Sequence, residues 1–126
     1  MGKPITTQSG GVCFAFPNVC STPVGISTAP IPYPSVGQLS DVQGASADVF
    51  AGSNPVVLKS ASIPTTKGDA AGTAGPHGGS ATFSSASATV FANGTEIVRL
   101  LDKTQQNGSN ANGVVLGGFA SVLVGD

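Results

Sequence analysis

Tryptophan is absent from this chain of 126 residues, tyrosine and methionine occur once each, and only 6% of residues are aromatic. The supply of large apolar side chains is therefore poor, and much of the 40% apolar content is alanine and valine. Charge is equally sparse: 9% of residues are charged, against about 25% in an ordinary soluble domain. The formal net charge is −1, and no cluster of lysine and arginine exists, which excludes a nucleic-acid groove. Disorder is not expected either, because it accompanies high net charge and low hydrophobicity. No apolar run is long enough to span a bilayer. Met1-Gly2-Lys3-Pro4 is not followed by an apolar stretch, so no Sec-type signal is visible. Nucleophile elbow, Walker loop and HExxH are all missing, and the Gly-rich stretch 68–79 lacks the Gly-Lys-Ser/Thr ending of a phosphate loop.

What is abundant is glycine, with 18 residues, and proline, with nine. Glycine costs about 1 kcal/mol and proline about 3 kcal/mol in a helix interior, so a helical bundle is excluded. Short strands joined by many turns are expected, and the fold class is all-β. The length sets one domain, 1–126.

Within it, 1–40 reads as an extended lead segment and 41–126 as a body of repeated β-hairpins. In the lead, Phe14, Phe16 and Val19 are apolar anchors, and Pro23, Pro30, Pro32 and Pro34 flank Ile31 and Tyr33. A segment so rich in proline can be neither a helix nor a central strand. It is expected to run extended over the surface, pinned by Ile31 or Tyr33.

The body repeats itself. Ala45-Ser46-Ala47-Asp48-Val49-Phe50-Ala51 returns as Ala86-Ser87-Ala88-Thr89-Val90-Phe91-Ala92, and a fainter third copy is Ala120-Ser121-Val122-Leu123-Val124-Gly125. At the same offset Val56 matches Ile97 and Val57 matches Val98. The turns between are Gly52-Ser53-Asn54-Pro55 and Asn93-Gly94, the second a strong hairpin signal because both central residues of a type I′ turn need positive φ. Two hairpins follow, with Val56–Leu58 and Glu96–Arg99 as returning strands. The i, i+3, i+4 spacing of Ile97, Leu100 and Leu101 also fits a helix over 95–106, but the repeat favours strand. Loops of small residues over 68–79 and 107–113 are expected to emerge at one end of the molecule. Three β-units imply approximate internal threefold character, suited to a threefold-symmetric partner. Val49, Phe50, Val90, Phe91, Val122 and Leu123 are the candidate partner-binding positions, alternation deciding which of them turn inward.

The order Phe16-Pro17-Asn18-Val19-Cys20-Ser21-Thr22-Pro23, then Pro30-Ile31-Pro32-Tyr33-Pro34-Ser35-Val36-Gly37, then Gly68-Asp69-Ala70-Ala71-Gly72-Thr73, then Val98 through Asn107 resembles the PAAR-like domain family over nearly the whole chain. The resemblance implies a small β-rich cone that caps and sharpens a homotrimeric β-helical spike in type VI secretion systems, related injection particles or phage tails. It implies assembly in the bacterial cytoplasm, ejection towards a target membrane, and effector attachment as a further role. It also implies a metal at the apex, held by histidine and cysteine. Cys20 stands where the family has its cysteine, but Gln105-Gln106 stands where the family often has a histidine. The chain is expected to carry no toxin extension after Asp126.

The residues allow blander readings. His77 is the only histidine, and one histidine with two cysteines is short of the four ligands of a structural zinc site. His77 and Cys20 are thus weak zinc candidates, and no cofactor is expected. Cys13 and Cys20 read as small buried thiols, with a disulfide or metal ligation as alternatives. Asp69 and Asp102 could serve a hydrolase as a carboxylate pair, but stabilising turns accounts for both, and the chain is expected not to be an enzyme. The rival to a spike tip is a secreted or virion-surface β-domain that binds a carbohydrate or protein receptor.

Overall fold

The computed structural model describes residues 2–75 and 79–125. Among the described residues twelve strands account for the regular structure: β1 (Lys3–Ile5), β2 (Val12–Val24), β3 (Ser27–Gln38), β4 (Phe50–Ala51), β5 (Asn54–Pro55), β6 (Ser62–Ile63), β7 (Ala81–Phe83), β8 (Phe91–Ala92), β9 (Thr95–Glu96), β10 (Lys103–Gln106), β11 (Ala111–Leu116) and β12 (Phe119–Val124). A single 3-10 turn, Leu39–Asp41, is the only helical piece among the described residues. The chain is all-β, as its glycine and proline content dictates.

Six strands form one antiparallel sheet in the order β3-β2-β11-β10-β7-β6. Along β2, Cys13 and Ala15 are buried, and then Asn18, Cys20 and Thr22. The parity changes because the β2–β3 register slips between Ala15 and Asn18, leaving Phe16 and Pro17 both exposed. An extra residue of this kind re-aims everything that follows it. Without the slip, Asn18 and Cys20 would face solvent. β3 is an edge strand, the place where Pro30, Pro32 and Pro34 are tolerated, and its prolines deny a further strand a full set of donors. Tyr33 is tied to β2 by its hydroxyl, 2.7 Å from Thr22 Oγ1.

Below the sheet three chain segments close a ring of backbone hydrogen bonds. Thr6 N–H donates to the Val98 carbonyl at 3.0 Å, Val98 N–H to Val57 at 2.9 Å, and Val57 N–H to Thr6 at 2.9 Å. An outer set runs the opposite way round: Gln8 N–H to Pro55, Lys59 N–H to Glu96 and Leu100 N–H to Pro4, each at 2.9 Å. β-Bridges join Thr7 to Val56, Leu58 to Ile97 and Ile5 to Arg99. Val56–Leu58 and Ile97–Arg99 therefore serve the ring, and the hairpins themselves are shorter than the sequence suggests: β4 with β5, and β8 with β9. Phe119–Val124 makes no hairpin of its own. It pairs with β1 at the other end of the chain, Leu123 opposite Pro4 and Val124 opposite Lys3.

Alternation in the ring divides the interior in two. Val57 and Val98 point towards the sheet and join Cys13, Leu39, Val42, Ile63, Phe83 and Val115 in one core. Thr6 is also fully buried, its hydroxyl donating to the Gly117 carbonyl at 2.9 Å. Their neighbours Ile5, Val56, Leu58 and Ile97 point the other way and pack with Ala51, Ala92 and Val124 of the three strand pairs in a second core.

Burial pushes the Cys13 thiol from its ordinary 9.0 up to about 12. Because the folded form holds the neutral thiol, this stabilisation is complete below pH 9 and disappears as the pH rises through 12. We expect the unfolding free energy to fall by about 1.4 kcal/mol for each pH unit above 9 on this account. Urea titrations at pH 8, 9.5 and 10.5 should show that slope, and Cys13→Ala should lose the Cys13 share of it, keeping only what the Cys20 thiol contributes. An identical slope in the variant would assign the loss to other groups.

Candidate docking face and apex

The three strand pairs present matching outward positions. Phe50, Phe91 and Leu123 are 54%, 53% and 62% exposed, while the next residues, Ala51, Ala92 and Val124, are buried. Strand alternation explains the split: one residue of each pair turns to the lower core and the other away from it. Val90 and Val122 are half-buried against that core, and Val49 lies at its exposed margin. Of the six candidate partner-binding residues, then, Phe50, Phe91 and Leu123 stand fully outward on three separate pairs.

Each pair is locked to the next. Ser46 Oγ accepts from the backbone N–H groups of Asp48 and Val49, at 3.2 and 2.9 Å, and Ser87 Oγ accepts from Thr89 and Val90, at 3.3 and 3.1 Å. The same hydroxyls donate outward, Ser46 to Asn93 Oδ1 at 2.5 Å and Ser87 to the Gly125 carbonyl at 2.6 Å. At the third junction the Phe119 ring lies over Gly52, so close that a Cβ there would sit 2.7 Å from Cζ. The repeated Ala-Ser signals these turns in the sequence. Phe119 carries no such signal.

Further along β2, past the register slip, a buried polar cluster joins the strand to both small-residue loops. Asn18 Nδ2 donates to Asp69 Oδ2 at 2.7 Å, and Asn18 Oδ1 accepts from Asn107 Nδ2 at 3.0 Å and Asn110 Nδ2 at 2.6 Å. Gly79 N–H donates to Asn107 Oδ1 at 3.2 Å. The Cys20 thiol donates to the Asn18 carbonyl at 3.6 Å and lies 3.9 Å from Asp69 Oδ2. Burial, and then the Asp69 carboxylate, push that thiol up from its usual pKa. Gly72 packs directly on Cys20, where any Cβ would collide with the cysteine's own. The two loops are thus brought to one end. The second is tighter than its composition suggests: residues 107–110 form a turn closed by Asn110 N–H on the Asn107 carbonyl at 3.1 Å, and β11 starts at Ala111. Gly113 belongs to that strand because its Cα lies against the Phe14 carbonyl, where no side chain fits.

Asp69 and Asp102, read from the sequence as a carboxylate pair, belong to separate networks. Asp102 is held by Arg99 and Ser85, and its side chain is 2% exposed. Both cysteines are free and buried. His77 lies outside the described residues. Asn18, Asn110, Arg99 and Thr6 were missed by sequence reasoning. Asn18 follows Phe16-Pro17 and reads as a turn residue, and only the register slip turns it inward. Residues 11–113 match the family model described as the toxin PAAR-like domain. No curated protein and no solved structure matches the chain.

Proposed function

The chain belongs to the toxin PAAR-like domain family, and from that premise we propose that it is the tip of a contractile injection machine, one copy capping a homotrimeric spike. The end of a homotrimer offers three equal surfaces. A single copy meets all three alike only if its own face repeats three times. The observation that carries the reading is the closed ring of Thr6, Val57 and Val98, whose bonds follow one another in a single rotational sense, with Phe50, Phe91 and Leu123 outward on the three strand pairs beneath it. The hairpin missing from the third position is completed by joining the chain's two ends. β4, β8 and β12 each ladder with one strand only, and their other edges are where spike strands can add. A tagged chain should retain the spike protein from a lysate of its own cell. Failure to retain it, with glycan or receptor binding instead, would favour a secreted or virion-surface β-domain.

The leading end in this reading is the β2–β3 tip. β2 starts beside Gly11, which contacts Gly117 near the ring, and runs through about 40 Å of extended strand to Val24. Residues 23–28 are all exposed, Ile26 completely so, and no charged residue occurs between Pro4 and Ser40. The pairing of Val24 with Ser27 continues the β2–β3 ladder to the turn. The chain has no tryptophan, so Ile26→Trp reports on this point alone. Its emission should shift to the blue on neutral lipid vesicles, and that of Phe50→Trp should not. An unshifted Ile26→Trp would remove the membrane role from the tip while leaving the docking claim intact.

A further inference from the structure

The resemblance to PAAR proteins implies a metal at the apex, and the described side chains there do not suit one. Cys20 and Asp69 are the two described residues of the cluster with metal-ligand chemistry, and the described residues contain no group of three His, Cys, Asp or Glu able to share an ion. The remaining positions are amides, and their orientation is forced. A carboxylate only accepts hydrogen bonds, so Asn18 must turn Nδ2 to Asp69. Its Oδ1 then faces the two amides beyond, and both Asn107 and Asn110 must present Nδ2 to it. Asn107 also aims Nδ2 at Cys20 Sγ, 3.9 Å away, and leaves Oδ1 for Gly79 N–H. Asp69 Oδ2, Asn18 Oδ1 and Asn107 Oδ1 thus each face an N–H hydrogen already. No buried side-chain nitrogen or oxygen among the described residues lacks a partner.

We propose that this chain fastens its apex with the Asn18–Asp69–Asn107–Asn110 network in place of a metal ion, with Asn18 as the hub. The network joins four separate stretches of chain. Asn18 sits on β2, Asp69 opens the first loop, Asn107 and Asn110 form the β10–β11 turn, and Gly79 returns from the end of the first loop. Backbone bonds complete the clamp: Ser21 N–H donates to Gly75 at 2.8 Å, Ala74 N–H to Ser21 at 3.1 Å, and Asn107 N–H to Ser80 at 2.8 Å. A buried amide with three short hydrogen bonds holds these parts in one arrangement, because removing it leaves a carboxylate and two amides without their partner. The inference concerns how the apex is held and stands whether or not the other end docks on a spike.

The test compares two substitutions in protein produced with zinc in the medium. A network apex predicts no stoichiometric metal by elemental analysis and no change of Tm with EDTA. It predicts that Asn18→Ala lowers Tm by roughly 10 °C and speeds amide exchange over residues 69–75, while Cys20→Ser changes Tm little. A metal apex predicts the reverse ranking, with Cys20→Ser the damaging change and metal lost with it. Should Asn18→Ala fail to fold, Asn110→Ala removes only the bonds to Asn18 Oδ1 and the Val19 carbonyl, and it should raise exchange in the same loop. Stoichiometric metal in the purified protein, or an Asn18 or Asn110 variant with wild-type exchange at the loop, overturns the proposal.

Discussion

Replacing Asp102 with alanine is expected to cost about 3–5 kcal/mol of folding stability, the range for breaking a buried ion pair by removing one partner. Arg99 Nη2 and Nε donate to the two carboxylate oxygens at 2.8 and 3.0 Å, and the side chains are 8% and 2% exposed. The Arg99 backbone N–H also donates to Oδ2 at 2.8 Å, and Ser85 Oγ donates to Oδ1 at 3.3 Å. One carboxylate therefore closes the turn that follows the ring segment and neutralises the guanidinium inside the protein. The same guanidinium reaches the Gly125 carbonyl through Nη1 at 3.1 Å, which ties the end of β12 to the ring. Truncation at Asp102 leaves a buried cation and a buried N–H without their acceptor. Replacing both partners by apolar residues, Arg99→Met with Asp102→Leu, should cost much less, because no charge is then left inside. Urea unfolding of the wild type, Asp102→Ala and the double variant measures this. A loss under about 1 kcal/mol for Asp102→Ala would mean the pair behaves as a surface bridge.

Aspartate at Phe50, Phe91 or Leu123 should each weaken spike binding by about thirtyfold or more, the loss of a hot-spot residue worth 2 kcal/mol. A centrally buried apolar side chain anchors an interface, and a carboxylate in its place must be desolvated without a partner. All three side chains already face outward, so folding stability should move by no more than about 0.5 kcal/mol. That separates docking from unfolding, provided thermal melts accompany the binding data. The decisive feature is equality. A three-way cap gives three losses of similar size. A large loss at one position with the other two silent would describe a partner seated against a single strand pair, and the docking geometry proposed above would fail.

Much of this was legible in the residues, and the remainder had a physical reason for hiding. The two copies at Val49-Phe50-Ala51 and Val90-Phe91-Ala92 announce two equivalent hairpins because each contains its own turn, Gly52-Ser53 or Asn93-Gly94. The third pair has no turn. Its strands lie at opposite ends of the chain, so Leu123-Val124 looks like a degenerate tail until it is seen beside Lys3-Pro4. Val56-Val57-Leu58 and Ile97-Val98-Arg99 were recognisable as strand, but not as parts of a ring, because their partners are each other and Thr6. The apex was less legible still. Asp69 and Asp102 look alike in sequence, yet one is fixed by Asn18 from β2 and the other by Arg99 three residues earlier. Asn18 itself is buried only because the β2–β3 register slips at Phe16-Pro17, and no local composition reports a slip.

The mass of the isolated spike–tip complex, read by native mass spectrometry, bears most directly on the docking claim. One copy of this chain for every three spike chains is the predicted composition. A complex holding three copies per spike trimer would contradict it, since each copy would then be serving one subunit and the ring of Thr6, Val57 and Val98 would have no threefold partner to match.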